Sequence, residues 1–410
     1  MAASRVGIER ITAYPCTLSL DMVALAEARG ADPGHPKDEL WIDERSVNPP
    51  WEDPVSMACN AALAVLDDDI KKDIELLIVG TESSVDFGKP MSTYVQRLAG
   101  LGPNVRNFET KHACYGGTSA VMMAAHWVAS GVAPGKKALV ITSDQSRAHI
   151  GKPWEYVLGG TAAAMVISDQ PDVVEFELEH NGYWTNEIHD TYRPTAKHEV
   201  GHADTSLFGY LEAVEGSYDH FMSKAGEPNY DEYFKKHIYH VPFGAMTYRA
   251  HRAVMRRQSK LKRDAMREHF ERKSKPALVY NRRLGGTYTS ATFIALMGLI
   301  DSSPELVEGD RISMFSYGSG SCAEFYSLKL GSKAREVVGS ANFGAALDTR
   351  RALTVPEYEA IEALRMTYVD NPDLVTDRQS VPGLWDSHYA GKGRVFLDKV
   401  EGWDRFYALS

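Results

Sequence analysis

Cysteine is scarce in this sequence. Its four residues, Cys16, Cys59, Cys114 and Cys322, lie far apart with no C-x-x-C or C-x-x-H pairing. That spacing argues against a zinc site and against a disulfide framework, and it suits a reducing cytoplasm. Long apolar runs are also missing: no stretch reaches the roughly 20 residues that cross a bilayer. The opening MAASRVGIERITAY has no apolar block behind its arginine, so a soluble, unexported, cytoplasmic protein is expected. There is no low-complexity tract, Pro/Gly-rich linker or short-period repeat, which makes disorder and fibres poor readings. Positive charge is in deficit, with 45 Lys and Arg against 55 Asp and Glu and a net charge of −10. Wholesale binding to nucleic acid or an anionic membrane would therefore need a locally concentrated basic patch.

The composition itself is ordinary for a globular chain, at 44% hydrophobic and 24% charged over 410 residues. This length fills two or three average domains or one duplicated α/β fold with a shared core. Apolar β-type runs stand at 76–80, 138–142, 162–167 and 312–316. Helix-type stretches stand at 55–68, 91–101, 116–130, 244–272 and 287–301, and the alternation predicts a layered α/β architecture. Strands this uninterruptedly apolar are expected to be buried on both faces. The polar segment 181–205 reads as an insertion over a cleft.

KHACYGG, residues 111–117, sets Cys114 at the mouth of an apolar helical stretch. Unpaired N–H groups and the helix dipole there are expected to lower a thiol pKa below about 8.5. Gly116 and Gly117 permit a tight turn and close approach. The alternative is a buried structural cysteine, the reading given to Cys16, Cys59 and Cys322. Glu82 follows strand 76–80, at the carboxyl edge where α/β sheets open their crevices, as a solvated carboxylate or a desolvated general base. Asp86, Asp144 and Asp169 read as turn or cap residues. His240 follows the β-like HIYH, where a neutral or charged imidazole can donate to a substrate carbonyl or serve only as a satisfied core residue. Tyr317, Ser319 and Gly320 belong to SYGSGS (316–321), which suits an oxyanion hole or simply a tight turn.

Taken in order, GTESSVD (80–86), FETKHACYGGTSA (108–120), YHVPFGAM (239–246) and FSYGSGSCAEFYSLK (315–329) resemble hydroxymethylglutaryl-CoA synthases of the thiolase superfamily. The resemblance implies a five-layered αβαβα fold of two similar halves, 1–170 with Glu82 and Cys114 and 171–410 with His240 and the SYGSGS loop. It further implies a homodimer, no metal and no permanently bound cofactor. On the matching positions, Cys114 accepts an acetyl group, Glu82 removes a methyl proton from it, and His240 polarises the acceptor ketone and protonates the new alkoxide. The N–H groups of Cys114 and Ser319 are the candidate oxyanion donors. One departure occurs: Gly286, in LGGTYTSATF, stands where the family usually has an asparagine.

GHADTSLFGYLEAVEGSYDHF (201–221) resembles the branch that works on acyl carrier proteins in polyketide β-branching, with both substrates on phosphopantetheine. The alternative is the branch that uses acetyl-CoA and acetoacetyl-CoA for isoprenoid supply. Segment 248–275 holds 11 Lys and Arg against 3 Asp and Glu, a net of +8, leaving the remainder (34 basic, 52 acidic) at −18. Arg249, Arg252, Arg256 and Arg257 on it are the candidate contacts for an acidic carrier protein. A solvated helix face, or a nucleic-acid-binding helix, is the competing reading.

Overall fold

The computed structural model describes residues 5–147 and 149–410; residues 1–4 of the opening stretch and Ala148 lie outside the described residues. Ten strands join in one large sheet: β1 (Gly7–Pro15), β2 (Ile74–Gly80), β3 (Arg106–Thr110), β4 (Lys137–Gln145), β5 (Gly160–Ser168), β6 (Val174–Phe176), β7 (Gly182–Thr185), β8 (Lys236–Tyr239), β9 (Arg311–Gly318) and β10 (Cys322–Leu330). Their order is β8-β9-β10-β6-β1-β5-β4-β2-β3, with β7 also pairing β10. Each apolar run named from sequence lies inside one of these strands. All nine residues of β5 are buried, as are six of the seven in β2, which matches runs without alternation.

The pairing is mixed. β2 runs parallel to β3 and β4, and β8 parallel to β9, whereas β4–β5, β1–β5 and β9–β10 are antiparallel. Parallel neighbours need crossovers, and helices supply them. Helix α1 (Pro54–Val65) is started by a capping box in which Asp53 and Ser56 exchange hydrogen bonds. Helix α2 (Gly116–Ala129) follows the Cys114 loop, α3 (Ala203–Ala225) follows the insertion, and α4 (Gly244–Gln258) and α5 (Arg263–Lys273) carry the basic segment. Helix α6 (Ala291–Ser302) is preceded by a single 3-10 turn at Tyr288–Ser290 and starts four residues beyond the expected 287. The main core joins α2 and α6 to residues of β1, β2, β4, β5, β8 and β9. Fold class is thus mixed α/β with one large mixed sheet, as expected from the sequence.

Two expectations require correction. The basic stretch 244–272 is not one helix, because residues 259–262 break it and Ser259 is extended (φ −151°). Arg256, Arg257, Lys260, Lys262 and Arg263 crowd like charges into eight residues at the break, and such crowding destabilises a continuous helix. Asp144 is no turn residue either. It is fully buried near the end of β4 and accepts hydrogen bonds from two segments described below. Asp86 does cap its turn, accepting from the N–H groups of Gly88 (2.6 Å) and Lys89 (2.7 Å).

Candidate active site

Three close backbone approaches bring the named residues together. A methyl placed on Gly80, at the end of β2, would lie 2.6 Å from the Gly116 carbonyl oxygen, so the strand carrying Glu82 abuts the start of α2. A methyl on Gly318 would lie 2.3 Å from the His112 oxygen and 2.6 Å from the Tyr115 nitrogen, so the SYGSGS turn presses on the Cys114 loop. One on Gly117 would lie 2.4 Å from the Thr289 oxygen. Only glycine allows such approach. Ala113, just before the cysteine, adopts a left-handed conformation (φ +40°), a strain of about 1–3 kcal/mol that the packing holds in place.

The result is a cavity of about 390 Å³ whose wall includes Glu82, Cys114, His240, Gly286, Tyr317 and Ser319. The insertion predicted over a cleft supplies part of it, through Thr191, Glu199, Gly201 and His202. The N–H of Ser319 has no intramolecular acceptor among the described residues. Gly320 stands differently from its sequence assignment. It does not line the cavity, and its N–H donates to Asp190 Oδ1 (2.9 Å), so it is not available to an oxyanion. Tyr317 reaches the wall, but its hydroxyl donates to Asp190 Oδ2 (2.6 Å).

Burial pushes Glu82 up to about 8, with Arg193 pulling down against Asp144 and Glu199. Its Oε2 is buried without a hydrogen-bond partner. Cys114 departs from expectation in sign: its thiol is raised, first by burial and then by the Glu82 and Asp144 charges. The nearest helix-start donors are already engaged, Tyr115 N–H by the His112 carbonyl (3.0 Å) and Gly116 N–H by that of Ala113 (3.1 Å). Dipole stabilisation is therefore outweighed by two carboxylates and desolvation. His240 is buried, and burial pulls it down to about 3, leaving a neutral imidazole. Its own carbonyl accepts from the Tyr210 hydroxyl (2.8 Å), which fixes the strand end.

Four residues escaped the sequence reading. Asp144 Oδ1 accepts from the Glu82 N–H (2.9 Å) and the Thr81 hydroxyl (3.0 Å), while Oδ2 accepts from the Thr289 N–H (3.1 Å) and hydroxyl. It thereby ties the base-bearing strand end to the turn before α6. Its position at a strand end, like that of Glu82, was the available signal. Arg193, Glu199 and Asp190 sit in the insertion, where charged residues look like ordinary surface. At Gly286, a side chain has no room: a methyl would lie 2.6 Å from the Val157 oxygen and 3.0 Å from that of Pro242. No Asn or Gln lines the cavity among the described residues.

Of the basic residues, Arg249 is exposed at the cavity rim and Arg256 is exposed, while Arg252 is half-buried with its guanidinium 5.7 Å from the Tyr248 ring. Arg257 is already paired with Asp219 and Glu215. The described residues contain no group of three or more His, Cys, Asp or Glu arranged to hold a metal ion.

This cavity joins a cysteine, a raised carboxyl and a neutral histidine, and its sequence surroundings match known proteins along nearly the whole chain. Residues 4–172 match the N-terminal and residues 250–408 the C-terminal family model of hydroxymethylglutaryl-coenzyme A synthase. A polyketide biosynthesis 3-hydroxy-3-methylglutaryl-ACP synthase, PksG of Bacillus subtilis, is 36% identical over 98% of both chains. The chain belongs to the hydroxymethylglutaryl-CoA synthase family. A hydroxymethylglutaryl-CoA synthase of Enterococcus faecalis is 33% identical over 87% of this synthase and 91% of its own length. Among solved structures, the HMG synthase of the curacin biosynthetic pathway in complex with acetyl donor-ACP superposes with a TM-score of 0.95 at 37% identity, covering 99% of this synthase and 100% of that chain.

Proposed function

We propose that this synthase condenses a cysteine-bound acetyl group with a β-ketoacyl thioester on an acyl carrier protein, a β-branching step of polyketide assembly. The observation carrying the reading is the convergence of Cys114, Glu82 and His240 on one cavity, in a chain similar over its whole length to synthases described as acting with carrier proteins. The thiol of Cys114 displaces the donor's pantetheine sulfur, which leaves as a thiol carrying the Cys114 proton, and keeps the acetyl group. Glu82 takes a methyl proton, and the enolate oxygen is held by the N–H groups of Cys114 and Ser319. The enolate carbon attacks the acceptor's β-ketone while His240, neutral, donates its ring N–H to the ketone oxygen and then to the alkoxide. The proton taken up by Glu82 returns to His240, so no net proton is gained or lost, and water cleaves the acyl-cysteine to restore the thiol and leave a hydroxymethylglutaryl-type thioester. Covalent attachment makes the condensation a local event.

Donor and acceptor carrier proteins are assigned to the exposed basic residues of α4, foremost Arg249 at the rim. We also assign two halves, 1–170 and 171–410, on the sheet order, which groups β1–β5 on one side and β8–β10 on the other. We further assign a cytoplasmic homodimer, for which the sheet edge at β3 and the 97% exposed Phe87 are candidate contact surfaces. The test offers acetyl and acetoacetyl groups on either CoA or carrier proteins and follows the hydroxymethylglutaryl thioester by mass. Turnover is expected with carrier-bound pairs; equal efficiency with both groups on CoA overturns the assignment.

A further inference from the structure

In the cavity wall Glu82 and Glu199 share a buried charge cluster with Arg193, and the condensation scheme uses neither Arg193 nor Glu199. Arg193, in the insertion, is only 12% exposed, against 10% for Glu82 and 8% for Glu199. Its Nη1 is committed, donating to the Ser83 hydroxyl (2.7 Å) and the Glu82 carbonyl (3.3 Å). Its Nη2 is not. That nitrogen lies 3.6 Å from Glu82 Oε1 and 3.2 Å from Glu199 Oε2, yet it forms a hydrogen bond with neither, and Nε is also without a partner. The Tyr288 ring flanks the guanidinium at 4.9 Å, and the Tyr288 hydroxyl donates to Glu199 Oε1 (3.4 Å).

Resting on Glu82 as the base, we propose that Arg193 is a positioning residue shared between Glu82 and Glu199, and that Glu199, by holding part of its charge, keeps Glu82 basic enough to remove a methyl proton. A guanidinium committed to Glu82 alone, in bidentate geometry, would stabilise the carboxylate and blunt it as a base. With no Arg193, two carboxylates and Asp144 would crowd one buried site. Shared, the cation permits burial of Glu82 without quenching it. The other charged or titratable groups facing the cluster are Asp144 from β4, Cys114 from the loop before α2, Arg147, and His149, whose Nε2 lies 3.5 Å from Glu199. Asp144 and Glu199 both push Glu82 up, and Arg193 pulls it down.

Opposite signs make the proposal testable. Uptake of solvent deuterium into the acetyl methyl of the acetylated enzyme, without acceptor, reads the Glu82 step alone as a function of pH. Glu199→Gln removes a negative neighbour and releases Arg193 to Glu82, so the acid limb is expected to move to lower pH, by roughly one unit. Arg193→Gln is expected to move it to higher pH by a similar amount, and Arg193→Lys to restore it in part. Intact mass shows Cys114 acetylated in all three. Limbs that stay in place, or that move in the same direction in the two glutamine variants, overturn the proposal. Should Arg193→Gln fail to fold, Glu199→Gln decides, and an unmoved or raised limb is the overturning result. Glu82→Gln separates the two levels of inference. If it abolishes exchange while the other variants leave the limb unmoved, the base stands and only the sharing falls; if exchange survives it, both fall.

Discussion

Glu82 and Cys114 oppose one another electrostatically, and the opposition orders the chemistry. The Glu82 charge raises the thiol, so removing that charge makes the thiol easier to ionise. Glu82→Gln is therefore expected to acetylate at Cys114 at least as readily as the natural enzyme, seen by intact mass, and to lose condensation. In its proposed role as base towards a carbon acid, Glu82 gains basicity from the burial that lifts it to about 8. Because only the ionised form accepts a proton, condensation is expected to be present above about pH 8 and to fall as pH drops through that value. His240, held neutral by burial, stays uncharged throughout this range and adds no limb of its own. The positions of these three residues were legible because strand ends and helix mouths can be read locally. Their ionisation was not. The sign at Cys114 depends on Asp144, distant in sequence, and on donors already spent inside the loop.

At the scale of elements, glycines decide how closely strands, loops and helices approach. Gly318 is the informative case, since β9 ends there and its turn rests on the Cys114 loop with no space for a methyl. Gly318→Ala is expected to cost about 1–3 kcal/mol through overpacking, read as a lower melting temperature. It should also slow acetylation and condensation by up to about 10²-fold, because a shift near 1 Å would displace the proposed Ser319 donor from the reacting carbonyl. Strands were readable from apolar runs, and α2 from its small apolar residues. The 259–262 break was not, because it arises from repulsion among basic residues in a stretch lacking Pro and Gly. Nor was the anchoring by Asp190, which ties the insertion to the SYGSGS turn through Gly320 and Tyr317. Such long-range hydrogen bonds leave no periodic trace.

Across the whole molecule, charge is divided unevenly: the segment 248–275 carries +8 and the rest of the chain −18. An acidic carrier protein is repelled on average by the net charge of the rest of the chain and attracted by that of α4 and α5, where Arg249 stands at the cavity rim. Such steering acts on encounter, so it weakens as salt screens charges beyond roughly 10 Å. Rising salt is accordingly expected to lower kcat/KM for carrier-bound substrates while leaving kcat nearly constant. Arg249→Glu should raise KM for those substrates by about tenfold, with a smaller effect on CoA thioesters, whose phosphates are a lesser anionic surface than a whole protein. Arg257 provides the comparison within the same helix. It pairs with Asp219 and Glu215 and does not line the cavity, so Arg257→Glu makes the same change in net charge away from the rim. A steady-state comparison of the two variants at two salt concentrations distinguishes steering by Arg249 from a general response to lost basic charge, for which both would be equally impaired.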